Sequence, residues 1–206
     1  MNTILKINSS LYSEAGQSSQ LAAQLIEALR EREAATRVIE RDLALEPVPH
    51  LDAARFQAFL TPPEQRTAEQ QAVAAYSDAL IDELRAADVV VLGLPMYNFG
   101  IPSQLKAYLD HIARAGVTFR YTANGPVGLL TGKKAYVFAT RGGQYAGTPR
   151  DSQTSYIRQF LGFLGITEVE FVYAEGLAMG DASKAASLAQ ARVALQNLVE
   201  PALLAA

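Results

Sequence analysis

Three short stretches of this chain carry residue types that could hold a charged, flat ligand. The first, the loop Ser9–Ser18 and the residue after it, has Ser9, Ser10, Gly16, Gln17, Ser18 and Ser19 ahead of an apolar pattern with helical spacing. A helix start offers free N–H donors and a favourable dipole to a phosphate, and hydroxyls add donors without fixed charge. Serines also serve as ordinary helix caps. The second, Pro95 to Gly100 (PMYNFG), sets Met96, Tyr97, Asn98 and Phe99 directly after an apolar run. Such side chains could lie along an aromatic ring while backbone groups meet its polar edge; packing into the core is the alternative. The third, Thr140 to Gly147 (TRGGQYAG), contains adjacent glycines that let a planar ligand approach the backbone, though a plain turn would use the same residues. Each stretch alone is ambiguous. Together they offer what a phosphate-tailed flat ring needs, provided that the fold sets them side by side.

The elements between these stretches predict that it does. Apolar runs at Thr3–Asn8, Arg37–Arg41, Asp88–Leu94, Lys134–Thr140 and Val169–Tyr173 read as strands. Asp88–Leu94 (DVVVLGL) is nearly all apolar and suits a central strand covered on both faces. Helical spacing is expected over about 18–34 with Ser18 or Ser19 as cap, and over 64–86, 102–116, 152–164 and 182–199. Pro102 is placed at a first helical position and Gly165 at a C-cap. The proline-rich stretch 45–63 reads as a long connection with at most a short helix around Phe56 and Phe59. Residues 117–132 read as an aromatic insertion (FRYT) followed by a Gly/Pro turn (NGPVG). A strand–helix unit repeated five times predicts an α/β fold: one domain over 1–206 with a doubly wound, five-stranded parallel sheet and helices on both faces. The flavodoxin-like order 2-1-3-4-5 is one of the two common solutions. It brings the loops after strands 1, 3 and 4 together at the carboxyl edge, where ligands bind.

Composition removes several classes of chemistry. The 206 residues include no cysteine and two histidines, so disulfides, thiolate catalysis, Cys-ligated metals and multi-histidine metal sites are excluded, and no metal is expected. A net charge of −3 without a basic run gives no electrostatic support for nucleic-acid binding. No apolar run approaches the roughly 20 residues that span a bilayer, and the start MNTILKINSS has no signal-peptide pattern, so a cytoplasmic location without membrane attachment is expected. A dinucleotide fingerprint after the first strand and a G-x-S-x-G elbow are both absent. GLLTGKK at 128–134 lacks the spacing and hydroxyl of a phosphate loop and reads as a turn. His111 is expected as a cation favoured by a helix C-terminus, and His50 as a surface residue.

PMYNFGIPSQLKAYLD, GVTFRY with NGPVGLLTGKKA, and RGG followed by FLGFLGI and FVYAEG resemble the FMN-dependent NAD(P)H azoreductases. These are also quinone reductases, related to the flavodoxin-like NAD(P)H:quinone oxidoreductases, and the resemblance runs from LKINSS almost to the C-terminus. It implies that Ser10, Gln17 and Ser18 hold the FMN phosphate with a backbone contact from Gly16. It further implies that Met96, Tyr97, Asn98 and Phe99 line the isoalloxazine ring, and that Thr140, Arg141, Gly142 and Gly143 meet its pyrimidine edge. A homodimer with active sites at the interface is implied, with Phe56, Phe59, Phe119 and Tyr121 shaping a cleft for aromatic acceptors. Tyr145 becomes a candidate proton donor, although the flavin N5 would do the chemistry. Gly16 and Thr140 stand where serine is common in the family.

The implied reaction is ping-pong hydride transfer from NADH or NADPH to azo compounds or quinones, yielding aromatic amines or quinols. Two rival readings use the same fold: an electron carrier, for which the net charge is small, and an FMN-binding regulatory module.

Overall fold

A computed structural model of the chain describes residues 2–199. The apolar runs pair into one parallel sheet from β1 (Thr3–Asn8), β2 (Arg37–Asp42), β3 (Val89–Pro95), β6 (Lys134–Thr140) and β7 (Glu168–Ala174). The five strands lie in the order β2-β1-β3-β6-β7. Counting only these strands, that is the expected 2-1-3-4-5. The intervening β4 (Phe119–Thr122) and β5 (Gly125–Gly128) form a separate antiparallel hairpin.

Alternation along the central strands feeds two cores. Leu5, Ile7, Val90, Leu92, Ala135 and Val137 face one side, which is covered by α3 (Ala68–Ala86), α4 (Ser103–Ile112) and α5 (Thr154–Leu164). Ile4, Val91, Tyr136 and Phe138 face the other, under α1 (Gln17–Arg32) and α6 (Asp181–Val199). Burial on both faces explains why β3 and β6 read as near-continuous apolar runs. Each fully buried Leu or Val among them contributes about 1.5–3 kcal/mol.

Several boundaries differ from expectation for local reasons. The cap of α1 is Gly16 in extended conformation, two residues before Ser18, because a short turn at Ser13–Ala15 delivers the chain to the helix start there. Pro102 caps α4 from just outside the helix and accepts Lys106 N–H through its carbonyl at 3.0 Å. α3 starts at Ala68, where Thr67 and Gln70 form a reciprocal capping box. The connection 45–63 does contain a short helix, α2 (Ala53–Leu60), capped by Asp52. The insertion at 117–132 is the β4–β5 hairpin, which turns at Ala123-Asn124. The GPVG of the expected turn is therefore a strand, which the absence of any period-2 apolar pattern conceals.

That hairpin docks on the end of α5. Leu130 N–H donates to Leu164 O at 2.8 Å, and a Cβ on Gly128 would stand 2.1 Å from the backbone nitrogen of Gly165. Gly165 takes the left-handed conformation (φ 104°) expected of a C-cap.

His111 departs from its expected role. It is fully buried, and Nδ1 sits 2.9 Å from Ala107 O, with the rings of Phe59 and Tyr76 edge-on to the imidazole. Burial pushes its pKa down, so it is a neutral core residue and not a cation serving the helix dipole. His50 is exposed as expected. Among the described residues no helix is long and apolar enough to cross a membrane, and no group of three or more acidic or histidine residues could hold a metal ion.

Candidate active site

The sheet order places the carboxyl ends of β1, β3 and β6 next to one another, and cross-links tie their loops together. Ser9 Oγ donates to Gly93 O at 2.7 Å, and Met96 N–H donates to Thr140 O at 2.9 Å. The three stretches picked out by residue type are therefore neighbours.

After β1, the Ser10 hydroxyl accepts Tyr12 N–H at 3.2 Å and lies 3.4 Å from the Tyr97 hydroxyl, which itself accepts Leu11 N–H at 3.2 Å. Tyr97 thus stitches the second loop to the first. Gly16 closes over Ser10: a Cβ there would stand 2.2 Å from Ser10 Oγ. Any side chain at this position would force Ser10 to turn away.

The first intrahelical bond of α1 is Gln20 N–H to Gly16 O at 2.9 Å, which leaves the N–H groups of Gln17, Ser18 and Ser19 free of intrahelical partners. Ser18 and Ser19 are 0% and 1% exposed, and their hydroxyls have no hydrogen-bond partner. A buried polar group without a partner costs about 1–3 kcal/mol. Three N–H groups, a positive helix end and the unpaired Ser18 hydroxyl are a donor set for a phosphate, whereas Ser19 lies on the side of α1 that faces Lys6 and Glu40.

The loop after β3 is a tight turn. Tyr97 and Gly100 exchange backbone hydrogen bonds of 3.1 and 2.9 Å, and Asn98 and Phe99 between them have φ of 50° and 61°. Left-handed geometry at two successive non-glycine residues costs roughly 1–2 kcal/mol each. It persists here because neighbours hold the turn: Gln153 Nε2 donates to Pro95 O at 2.9 Å and Gly100 O at 3.1 Å, and the Ser152 hydroxyl donates to Phe99 O. The turn presents Phe99 to solvent at 57% exposure and leaves Met96 and Tyr97 half-buried. They are surface lining and not core.

After β6 the carbonyls of Arg141, Gly142 and Gly143 all accept from the chain after β7, namely from Leu177, Ala178 and Gly176 N–H at 3.1, 3.0 and 2.9 Å. Tying the carbonyls inward leaves the N–H groups of Gly142 and Gly143 without a partner among the described residues, as donors for the edge of a ring. Tyr145 folds back over this edge. Its hydroxyl lies 2.6 Å from where a Cβ on Gly143 would stand, and its ring meets Phe99 edge-on at 5.5 Å.

Not every sequence-predicted residue joins this cluster. The Arg141 side chain is fully buried and points away from any ligand surface, into Asp151, Gln153, Thr154 and Glu175. What remains of it for a ligand is backbone. Phe119 packs into the core against Phe163 at 4.3 Å, and Tyr121 stands on the hairpin at 74% exposure. Phe59 is held by His111 and by the Arg114 guanidinium 4.8 Å from its ring centre, whereas Phe56 is half exposed on the same helix. Among the described residues no ring contact or hydrogen bond joins these four aromatics to the three loops.

Sequence reasoning missed Ser152, Gln153, Asp151 and Glu175. Burial pushes the Asp151 carboxyl up, but hydrogen bonds from the Thr154 hydroxyl and N–H and from Arg141 outweigh it, so it ionises below the usual carboxylate range. The available signal was Arg141 itself, a cation next to a buried strand that needs acceptors.

A family profile described as flavodoxin-like fold matches residues 2–199. A protein of Paraburkholderia phymatum described as an FMN-dependent NADH:quinone oxidoreductase is 59% identical over 195 residues, covering 95% of this chain and 98% of that one. The crystal structure of an azoreductase from Bacillus anthracis superposes with a TM-score of 0.88 at 27% identity, covering 98% of this chain and 100% of that one. A second structure from that species, an FMN-dependent NADH-azoreductase in complex with FMN, gives a TM-score of 0.85 at 27% identity and covers 97% and 100%. Matched over its whole described length, this chain belongs to the flavodoxin-like family that includes the FMN-dependent NADH:quinone oxidoreductases.

Proposed function

We propose that this chain is an FMN-dependent oxidoreductase that uses NADH or NADPH to reduce quinones to quinols and azo compounds to aromatic amines. The observation that carries this reading is that two unsatisfied donor sets flank the same carboxyl edge of the sheet. The first turn of α1, with the Ser18 hydroxyl, forms one, and the Gly142 and Gly143 N–H groups form the other.

In this reading Ser10, Gln17 and Ser18, with the backbone at Gly16, grip the phosphate, and Met96 to Phe99 lie along the ring. The N–H groups after Thr140 meet its pyrimidine edge, where preorganised donors stabilise developing negative charge. When bound, FMN would supply two-electron hydride chemistry, one nicotinamide per quinone and two per azo bond, with the acceptor following the nicotinamide into the same place. In this reading the exposed Phe99 ring and Tyr145 border the open side, with Tyr145 as a candidate to orient an acceptor and pass it a proton and water as the other proton source. Phe119 is core and Phe59 is held by His111 and Arg114, so of the four aromatics only the exposed Phe56 and Tyr121 remain to line a cleft, and they reach one only through a second subunit. We therefore propose a homodimer with the sites at its interface, in the cytoplasm where reduced nicotinamide is regenerated.

Initial velocities measured while NADH and a benzoquinone are both varied, and then NADH and a simple azo dye, test the reading. Parallel double-reciprocal lines with both acceptors are expected. Intersecting lines overturn the shared-place mechanism, and turnover that needs an added redox protein makes the chain a carrier.

A further inference from the structure

The Arg141 side chain is fully buried, and each of its three nitrogens has a protein partner. Nε donates to Gln153 Oε1 at 3.3 Å, one terminal nitrogen to Glu175 Oε1 at 3.0 Å, and the other to Asp151 Oδ1 at 2.7 Å and Thr154 Oγ1 at 3.2 Å. The guanidinium also stacks 5.2 Å from the centre of the Tyr173 ring. This planar fork spreads its donors over three nitrogens in fixed directions and so reaches acceptors on several sides, which the single nitrogen of an ammonium cannot do.

Those acceptors in turn hold the two ring-facing loops. Gln153, with its oxygen on Arg141, spends its amide donors on Pro95 O and Gly100 O at the two ends of the Met96–Phe99 turn. Glu175 Oε1, the oxygen that Arg141 holds, also accepts Tyr145 N–H at 2.8 Å and Ala146 N–H at 2.9 Å, directly beyond Gly142 and Gly143. One guanidinium therefore fixes the loop after β3 and the loop after β6 relative to each other. It has no bond to the first turn of α1.

From this geometry we propose that Arg141 is a positioning residue. Acting through Gln153 and Glu175, it sets the spacing between the Met96–Phe99 turn and the Gly142–Gly143 edge, and thereby the redox potential of the ring between them, without contributing to the phosphate grip. The inference rests on the FMN reading above. If the spacing relaxes, the donors on the edge are misaimed, negative charge on the reduced ring is less well stabilised, and the potential falls. The phosphate end, held by α1, is unaffected.

The test uses the full-length FMN-loaded protein and two variants. R141K keeps the charge but loses the fork, and Q153M leaves Arg141 in place while cutting its link to Pro95 and Gly100. Dissociation constants for FMN are read by fluorescence quenching, potentials by anaerobic dye equilibration, and reduction by NADH in single turnovers. Both variants are expected to bind FMN within about threefold of wild type, while the two-electron equilibrium shifts about tenfold towards the oxidised form, roughly 30 mV. NADH reduction should slow about tenfold at unchanged KM. S18A should do the reverse, weakening FMN binding with the potential unmoved. Wild-type potentials and rates in the variants overturn the inference, as does a loss of FMN affinity matching S18A. If R141K does not fold, Q153M decides alone. Failure of the wild-type protein to bind FMN overturns the functional reading itself, before any variant is made.

Discussion

Gly93 of β3 lies against Ser18 of α1: a Cβ on Gly93 would stand 3.3 Å from the Ser18 carbonyl carbon and 3.4 Å from both its carbonyl oxygen and its hydroxyl. The φ of Gly93 is unexceptional, so the glycine serves close approach and not an unusual backbone angle. It lets the start of α1 sit down on the sheet at the place where the phosphate donors must point. G93A should therefore push the first turn outward and weaken FMN binding by about tenfold, at a stability cost of about 1–3 kcal/mol from overpacking. Fluorescence titration with FMN, alongside thermal melts of the FMN-free protein, separates the two effects. Unaltered affinity would mean that the helix start does not need this seat.

The Ser18 hydroxyl is buried without a partner, which makes the sign of its removal depend on the ligand. In the FMN-free protein S18A deletes an unsatisfied group and should leave stability unchanged or raise it by up to about 1 kcal/mol. With FMN present it removes a charge-assisted hydrogen bond and should weaken binding by about 1.5–3 kcal/mol. Paired melts with and without FMN test this, and destabilisation of equal size in both would place the hydroxyl in the fold and not in the site.

His111 gives the protein a defined response to acid. Burial lowers its folded pKa, the bond to Ala107 opposes this, and the positive charge of Arg55 lowers it further while Asp110 and Asp52 raise it. Arg114, paired with Asp78, faces the same pocket through the Phe59 ring. As pH falls below about 6.5 the unfolded chain takes up a proton first. The His111 contribution to stability is thus complete above that pH and is lost on going down to the folded pKa. Urea unfolding between pH 8 and 5 should show this decline in wild type, and H111L should flatten it. An equal slope in H111L would assign the decline to other groups.

The hairpin has a comparable pressure point. A methyl on Gly128 meets the backbone of Leu164 and Gly165, which cannot move aside as a side chain tip would. G128A should cost about 1–3 kcal/mol, visible as a lowered Tm. If the hairpin forms part of the proposed dimer contact, sedimentation of this variant should also shift towards the monomer.

Legibility in the sequence followed the range of the forces involved. β3 and β6 could be read almost residue for residue, because burial on both faces writes an unbroken apolar run, and Gly165 could be read because a C-cap is local chemistry. The β4–β5 hairpin could not, since Gly125, Pro126 and Gly128 are poor strand formers that pair only because Gly128 fits against Gly165. The three site loops were visible by residue type, but residue type alone left Ser18 as either cap or phosphate donor, because a capping serine and one buried inside the first turn look alike, and only the family resemblance pointed to the phosphate. Arg141 is placed at the ring edge, with Thr140, Gly142 and Gly143, by the family resemblance. Its true partners come from positions 151, 153, 154 and 175, and only the parallel pairing of β6 with β7 and the start of α5 bring them to it.

The central claim is that FMN sits between α1 and the Gly142–Gly143 edge and carries hydride from nicotinamide to an aromatic acceptor. An anaerobic visible spectrum of the FMN-loaded protein, recorded as NADH and then a benzoquinone are added, tests it most directly. The account predicts flavin bands that bleach with about one equivalent of NADH and return in full with the quinone. Flavin bands that NADH leaves intact, or a protein that stays colourless when FMN is supplied, would contradict it.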